Sequence, residues 1–326
     1  MRYYYGQLSR PLQGVYDALL GGFRALAPGI RIPMLDEKQL ADVYLRLKLD
    51  EPLLFYVTGY RCRWMTGAAH MELLPEYLFD KAKIRTHQQA VSARLARLTK
   101  PLEGKTEAEK ELAVHDFILE NVRYDKLKKP YSHEILGPMT QGVGVCEGIA
   151  KTVKALCDQL GLWCIVALSE ADPARGIKYR HTWNVVRVGG QYYHLDATFD
   201  TSLQRGEKRY DYYNLDDGRL FRDHERLRPR LHGWKTLLLS KRLVHEAGGA
   251  GKAACAGTAQ KAAPVRVPLA RRRPEPGHPA AAAGACRAAC SRTRKTRVLL
   301  GQFPAGRHPA RILRSPAGKH HHPAGK

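Results

Sequence analysis

The chain has 326 residues, 26% of them charged and 44% hydrophobic, with a formal net charge of +23. Of its 54 Lys and Arg and 31 acids, 19 basic residues but only Glu246 and Glu275 fall after residue 230, so that segment carries +17 and the rest +6. The basic character therefore belongs to the tail, and the size allows one large domain or two ordinary ones. No apolar run reaches the roughly 18 residues of a membrane span, and the N-terminus has no apolar segment of leader length. Cys62, Cys146, Cys157 and Cys164 follow no framework spacing and no CxxC occurs, which predicts a reduced, cytoplasmic protein.

In chain order, Leu12, Val15, Tyr16, Leu19, Leu20 and Phe23 recur at helical spacing over residues 9–27. A second helix starts at Asp36 and stops before Pro52. Leu53–Thr58 is rich in strand formers, and Tyr60–Trp64 and Met71–Tyr77 are expected to pair with it. Residues 81–98 return to helix. Thr106 followed by Glu109 is a capping box that opens the next helix; His115 within it is read as a satisfied core or surface histidine. Residues 130–144 are read as a loop.

Gly142–Gly161 is a glycine-rich turn opening into an amphipathic helix, with Val145, Ile149, Val153, Leu156 and Leu160 as its apolar stripe. Cys146 stands in the first turn, beside unpaired N–H groups and the positive end of the helix dipole, where a thiolate is favoured. Alone, it is equally readable as a small buried residue. Cys157 and Cys164 are read as core.

Trp163–Leu168 reads as a buried strand and Ala171–Lys178 as a polar loop. Residues 181–188 and 191–198 flank Gly189-Gly190, a hairpin signal. With these two glycines as the loop, paired residue numbers sum to a constant and Val188 meets Gln191. Alternation then puts His181, Trp183, Val185, His194, Asp196 and Thr198 on one polar face, and Val186, Val188, Tyr193 and Leu195 on a core face. His181 and Asp196 are diagonal neighbours. Cys146, His181 and Asp196 are thus the parts of a thiol triad: nucleophile, acid/base and orienting carboxylate. The Cys146 backbone N–H would stabilise an oxyanion, with Gln141 a candidate side-chain donor. Trp183 is read as a shield over the triad, His194 as a hydrogen-bonded neighbour, and His133 is unassigned.

Gly144-Val-Cys146-Glu-Gly148-Ile-Ala150, His181-Thr-Trp183-Asn and Asp196-Ala-Thr198-Phe-Asp200 resemble, in order and spacing, the three motifs of the transglutaminase-like superfamily, its bacterial members above all. His115-Asp116, Tyr124-Asp125 and Tyr210-Asp-Tyr-Tyr-Asn-Leu are similar to its flanking features. The resemblance is strong over about residues 100–220. It implies an α+β, papain-like fold, a nucleophile helix packed on an antiparallel sheet, and the roles above for Cys146, His181 and Asp196. Ile149 and Thr182 depart from the usual residues without removing a catalytic group. Known chemistry of the superfamily comprises protein cross-linking, peptide hydrolysis and deglycosylation, all acyl transfers through a thioester.

The expected organisation is an extension at 1–100, a catalytic core at 101–230 and a basic, low-complexity, disordered tail at 231–326. The expected function is acyl transfer on protein or peptide amides, hydrolysis favoured over cross-linking. No cofactor and no metal are expected: no cluster of Asp and Asn suits calcium, and Cys286/Cys290 and His320–His322 lack coherent ligand spacing. An inactive triad fold binding peptides, and polyanion binding by the tail, are the alternatives. The tail's Ala, Arg, Pro and Gly also suit a shifted reading frame in a GC-rich gene.

Overall fold

The computed structural model describes residues 1–169 and 180–224, and the backbone of 297–301. The expected loop at 171–178, and the tail apart from that short strand, lie outside the described residues.

Helix α1 (Arg10–Arg24) buries Val15, Tyr16, Leu19, Leu20 and Phe23, the stripe expected from their spacing. Strand β1 (Ile30–Pro33) follows, then helix α2 (Glu37–Asp50), opened by Asp36 and Gln39 in a reciprocal capping box. Strand β2 runs Val57–Trp64, so Leu53–Tyr56 are turn and Tyr60–Trp64 continue the strand they were expected to pair with. The reason lies in local hydrogen bonds: Leu54 N–H reaches Glu51 O and Val57 N–H reaches Leu54 O, a turn that also buries Leu54, Phe55 and Tyr56. Strand β3 (His70–Tyr77) pairs antiparallel with both β1 and β2. The free edge of β2 takes a fourth strand, β9 (Arg297–Gly301), with Cys62 opposite Leu299. No strand period was expected in the tail. An open edge supplies unpaired backbone groups, and a short apolar run, here Val298-Leu299-Leu300, is enough to meet them.

Helix α3 (Lys81–Thr99) is capped by Asp80, and helix α4 (Glu107–Asn121) by the Thr106–Glu109 capping box. Short strands β4 (Arg123–Tyr124) and β5 (Val143–Gly144) pair in parallel. Between them, residues 130–144 are more ordered than a loop, with helical turns at Pro130–His133 and Gly137–Gln141. The Asp125 carboxylate knots the entry, accepting from Leu127 N (2.9 Å), Lys129 N (3.0 Å) and Ser132 Oγ (2.5 Å).

Helix α5 (Cys146–Gln159) packs on a three-stranded antiparallel sheet of β6 (Cys164–Leu168), β7 (Thr182–Val188) and β8 (Gln191–Leu195), in the order β6-β7-β8. The β7–β8 register pairs Val188 with Gln191 and Asn184 with Leu195, as the Gly-Gly turn demands. Beyond Leu195 the ladder stops, because the chain turns into helix α6 (Ala197–Leu203); Thr198 is therefore helical and not opposite His181. Val186, Val188, Tyr193 and Leu195 join the main core, which also draws on residues of the first hundred. The other sheet face, expected to be polar, is buried as well: Trp183 and Val185 pack with Leu215 and Leu220, the latter in helix α7 (Asp217–Leu220). This α+β arrangement, the Cys146 helix against an antiparallel sheet, is the one that the resemblance implies. Among the described residues no helix is long and apolar enough to cross a membrane.

One glycine fixes where α5 begins. A Cβ on Gly148 would sit 2.2 Å from Ser132 O and 3.0 Å from Glu134 O, both backbone atoms that cannot rotate away. Gly148→Ala should therefore destabilise the fold by about 1–3 kcal/mol, read as a lower urea midpoint at unchanged slope. It should also slow alkylation of Cys146, two residues upstream.

Candidate active site

Cys146 is the first residue of α5. The residue before it, Val145, is extended, offers no side-chain cap, and is tied by its N–H to Ser132 O at 2.9 Å. Helices α2, α3 and α4 each spend a side-chain oxygen on their first N–H groups. In α5 no side chain does so, and the donors of its first turn stay available to a negative sulfur or a developing oxyanion. Cys146 is half-buried, whereas Cys62, Cys157 and Cys164 are buried. Burial pushes the Cys62 thiol up to about 12. A bond with Cys164, together with burial, pushes Cys157 up too.

His181 precedes β7, and its ring lies over Trp183, centroids 5.8 Å apart and planes 19° off parallel. Its Nε2 is 2.5 Å from Asp196 Oδ2. Because a carboxylate only accepts, that nitrogen carries the proton, leaving Nδ1 for the Cys146 side. Asp196 is buried at the start of α6, and its other oxygen, Oδ1, caps that helix by accepting from Thr198 N (2.9 Å) and Phe199 N (3.1 Å). Burial opposes charge on His181, but the Asp196 charge and hydrogen bond, aided by the Cys146 sulfur, outweigh it and raise the imidazole to about 10. The same pairing overcomes burial at Asp196 and holds its carboxyl well below the ordinary range.

Cys146 and His181 line one cavity of about 220 Å³ with Tyr124, Thr198, Phe199 and Ser202. The structure thus brings together the three residues singled out as a triad. Trp183 is buried behind His181. Gln141 is exposed, its amide turned to Thr140 Oγ1 at 3.4 Å, and it is not among the cavity residues. His133 faces Glu147, 3.6 Å away. His115 is buried with Nε2 3.1 Å from Asp200 Oδ2, between the rings of Tyr210 and Tyr213. His194 accepts from Trp183 Nε1 (3.0 Å) through Nδ1 and must then be neutral, donating from Nε2 to Asp217 Oδ1 (2.9 Å).

Sequence reasoning missed His224. Its Nε2 lies 2.9 Å from Asp196 Oδ2, the oxygen that His181 already uses. His181, Asp196 and His224 offer ligand atoms within 4.8 Å of one another. Their N···O separations of 2.5 and 2.9 Å are hydrogen-bond lengths. A cation at about 2 Å from each ligand atom would force them apart, so protons suit this cluster better than an ion.

Fold and site together define a transglutaminase-like protein with a thiol, an imidazole and a carboxylate at one cavity. Residues 94–197 match the family model of the transglutaminase-like superfamily. Among solved structures, a TGase aligns over 56% of this chain and 52% of its own, at 12% identity and a TM-score of 0.31. A candidate cysteine protease from Cytophaga hutchinsonii aligns over 43% and 62%, at 18% identity and 0.28. Menin, solved to reveal its binding site for the Mixed Lineage Leukemia protein, aligns over 51% and 36%, at 18% identity and 0.29. The chain thus spans about half the length of the TGase it matches. No curated protein matches the sequence.

The His181–Asp196 pair makes stability depend on pH. Its carboxylate side contributes above the ordinary 3.8 and is lost as pH falls through the depressed value. The imidazole side contributes fully below the ordinary 6.5 and is lost as pH rises through about 10. Thermal unfolding from about pH 4 to 10 should show the gap between wild type and Asp196→Asn widest at about pH 4–6.5, narrowing steadily above.

Proposed function

We propose that this chain is a cysteine-dependent enzyme that cleaves protein or peptide amides through a thioester. The observation that carries this reading is the shared cavity of Cys146 and His181, with Asp196 bonded behind the imidazole. Cys146, as thiolate, attacks the amide carbonyl, and the negative oxygen is met by the unspent N–H groups at the start of α5. His181 gives its proton to the leaving amine as the C–N bond breaks, and the acyl group stays on sulfur. A water molecule then gives its proton to His181 and attacks the thioester, releasing the acid and restoring the thiolate beside the protonated imidazole. Asp196 holds the imidazole in the required tautomer throughout.

Hydrolysis is favoured over transfer to a second amine because the site is open to water: 23% of the His181 side chain stays exposed beside the half-buried sulfur. The four described cysteines are free thiols, in keeping with a reducing, cytoplasmic setting.

Iodoacetamide at about pH 6 tests the reading, because an unactivated thiol of pKa about 8.5 is almost wholly protonated there. Cys146 should be alkylated at least about 10-fold faster than Cys62, Cys157 or Cys164, mapped by peptide mass, and His181→Ala should remove most of that advantage. Equal labelling of Cys146 and the other thiols would remove the enzyme and leave a peptide-binding fold in its place.

A further inference from the structure

His224 is a buried imidazole that the triad chemistry does not use. Its Nε2 is 2.9 Å from Asp196 Oδ2, and its Nδ1 is 2.7 Å from Asp223 Oδ1. Both oxygens belong to carboxylates, which only accept. An imidazole makes both bonds only if both nitrogens carry hydrogen, that is, as the imidazolium. His194 provides the contrast within the same layer: Trp183 donates into its Nδ1, so it is satisfied as the neutral ring. The groups facing His224 are Asp196 at the end of β8, His181 before β7 with rings 5.2 Å apart, and Tyr212, whose hydroxyl bonds Asp223. His194 acts on it from the same sheet face, and Phe199 and Trp183 complete the walls with ring centroids at 4.4 and 5.4 Å.

We propose that His224 is a positioning residue of this site: it shares the Asp196 carboxylate with His181, and the positive charge it carries weakens the hold of Asp196 on the His181 proton. The inference rests on the cysteine-enzyme reading above and adds a fourth side chain to it. Its chemical purpose follows from the two halves of the reaction. His181 must give a proton to an amine and later take one from water. An imidazole with a buried carboxylate to itself keeps its proton too firmly for the second task. A second cation on the same oxygen moves the balance back and at the same time fixes the carboxylate in place.

Iodoacetate reads this directly. Its carboxylate is drawn to the His181 imidazolium, so the rate at Cys146 falls at high pH as His181 loses its proton. His224→Gln keeps an N–H donor toward Asp196 but carries no charge. It should move the upper limb about one pH unit higher than in wild type. Asp223→Asn, which keeps an acceptor oxygen for the second His224 proton but removes the negative charge that favours it, should move that limb the same way by less. A merely structural His224 would lower the rate at every pH and leave the limb where it is. A His224→Gln limb superimposed on wild type overturns the proposal. If His224→Gln does not fold, the exposed Asp223→Asn carries the same test, with an unmoved limb as the negative result. An unreactive wild-type thiol would instead defeat the enzyme reading. The NMR titration of the His181 ring in wild type and His224→Gln then still tests His224, with coincident midpoints overturning it.

Discussion

The Asp196 carboxylate is the interaction on which the rest of the site depends. A buried carboxylate costs several kcal/mol unless its charge and lone pairs are met. Here two backbone N–H groups of α6 meet Oδ1 and two imidazoles meet Oδ2. A local structural task, capping a helix, and a chemical one, aiming a histidine, are thus performed by the two oxygens of one side chain. The turn from β8 into α6 is what makes this possible. Had the hairpin ladder continued past Leu195, Asp196 would face a strand neighbour and have no helix start to cap.

The sulfur is placed by different means. The chain entering α5 is held by the Val145–Ser132 bond and by the close approach that only Gly148 permits. Beneath it lies a buried ion cluster. Glu134 Oε1 is 2.9 Å from Lys151 Nζ and 3.1 Å from Lys48 Nζ, and Lys151 also reaches Glu147 Oε1 at 2.7 Å. Lys48 comes from α2, and its ammonium also donates to Leu54 O and Val57 O, at 2.7 and 2.8 Å. Burial still lowers it to about 8 in spite of these partners. The first hundred residues thus supply a cation to the turn that aims Cys146. Breaking one member of such a cluster leaves a charge stranded, a cost of about 3–5 kcal/mol, which ties α2 to the segment around Cys146.

What could be read from the residues was whatever short-range geometry determines. The Gly189-Gly190 turn fixed the register of β7 against β8, and the register put His181 near Asp196. Capping boxes marked the starts of α2 and α4, and apolar spacing the buried side of α1. His224 carried no such signal, because it belongs to no repeat or motif. It reaches Asp196 only because residues 210–220 fold across the sheet: Leu215 bridges His194, and Leu220 packs on the Trp183 side. The same cover explains why the sheet face expected to be polar is buried. The Lys48–Glu134–Lys151 cluster was hidden for a similar reason, since its members lie far apart in sequence and charged residues ordinarily read as surface.

The structure finally applies burial in opposite senses to its thiols and to its imidazole–carboxylate pair. Around Cys62 and Cys157 burial raises the thiol and leaves it protonated. Around Asp196 the same low polarity strengthens each bond the carboxylate makes, because no water competes for it. Trp183 and Phe199 form the walls of that dry side, and the bond between His181 and Asp196 lies against them. Cys146, only half-buried, lines the cavity beside His181. The site therefore has a half-buried sulfur on one side and a carboxylate buried behind the imidazole on the other. That division follows from one strand ending where a helix begins.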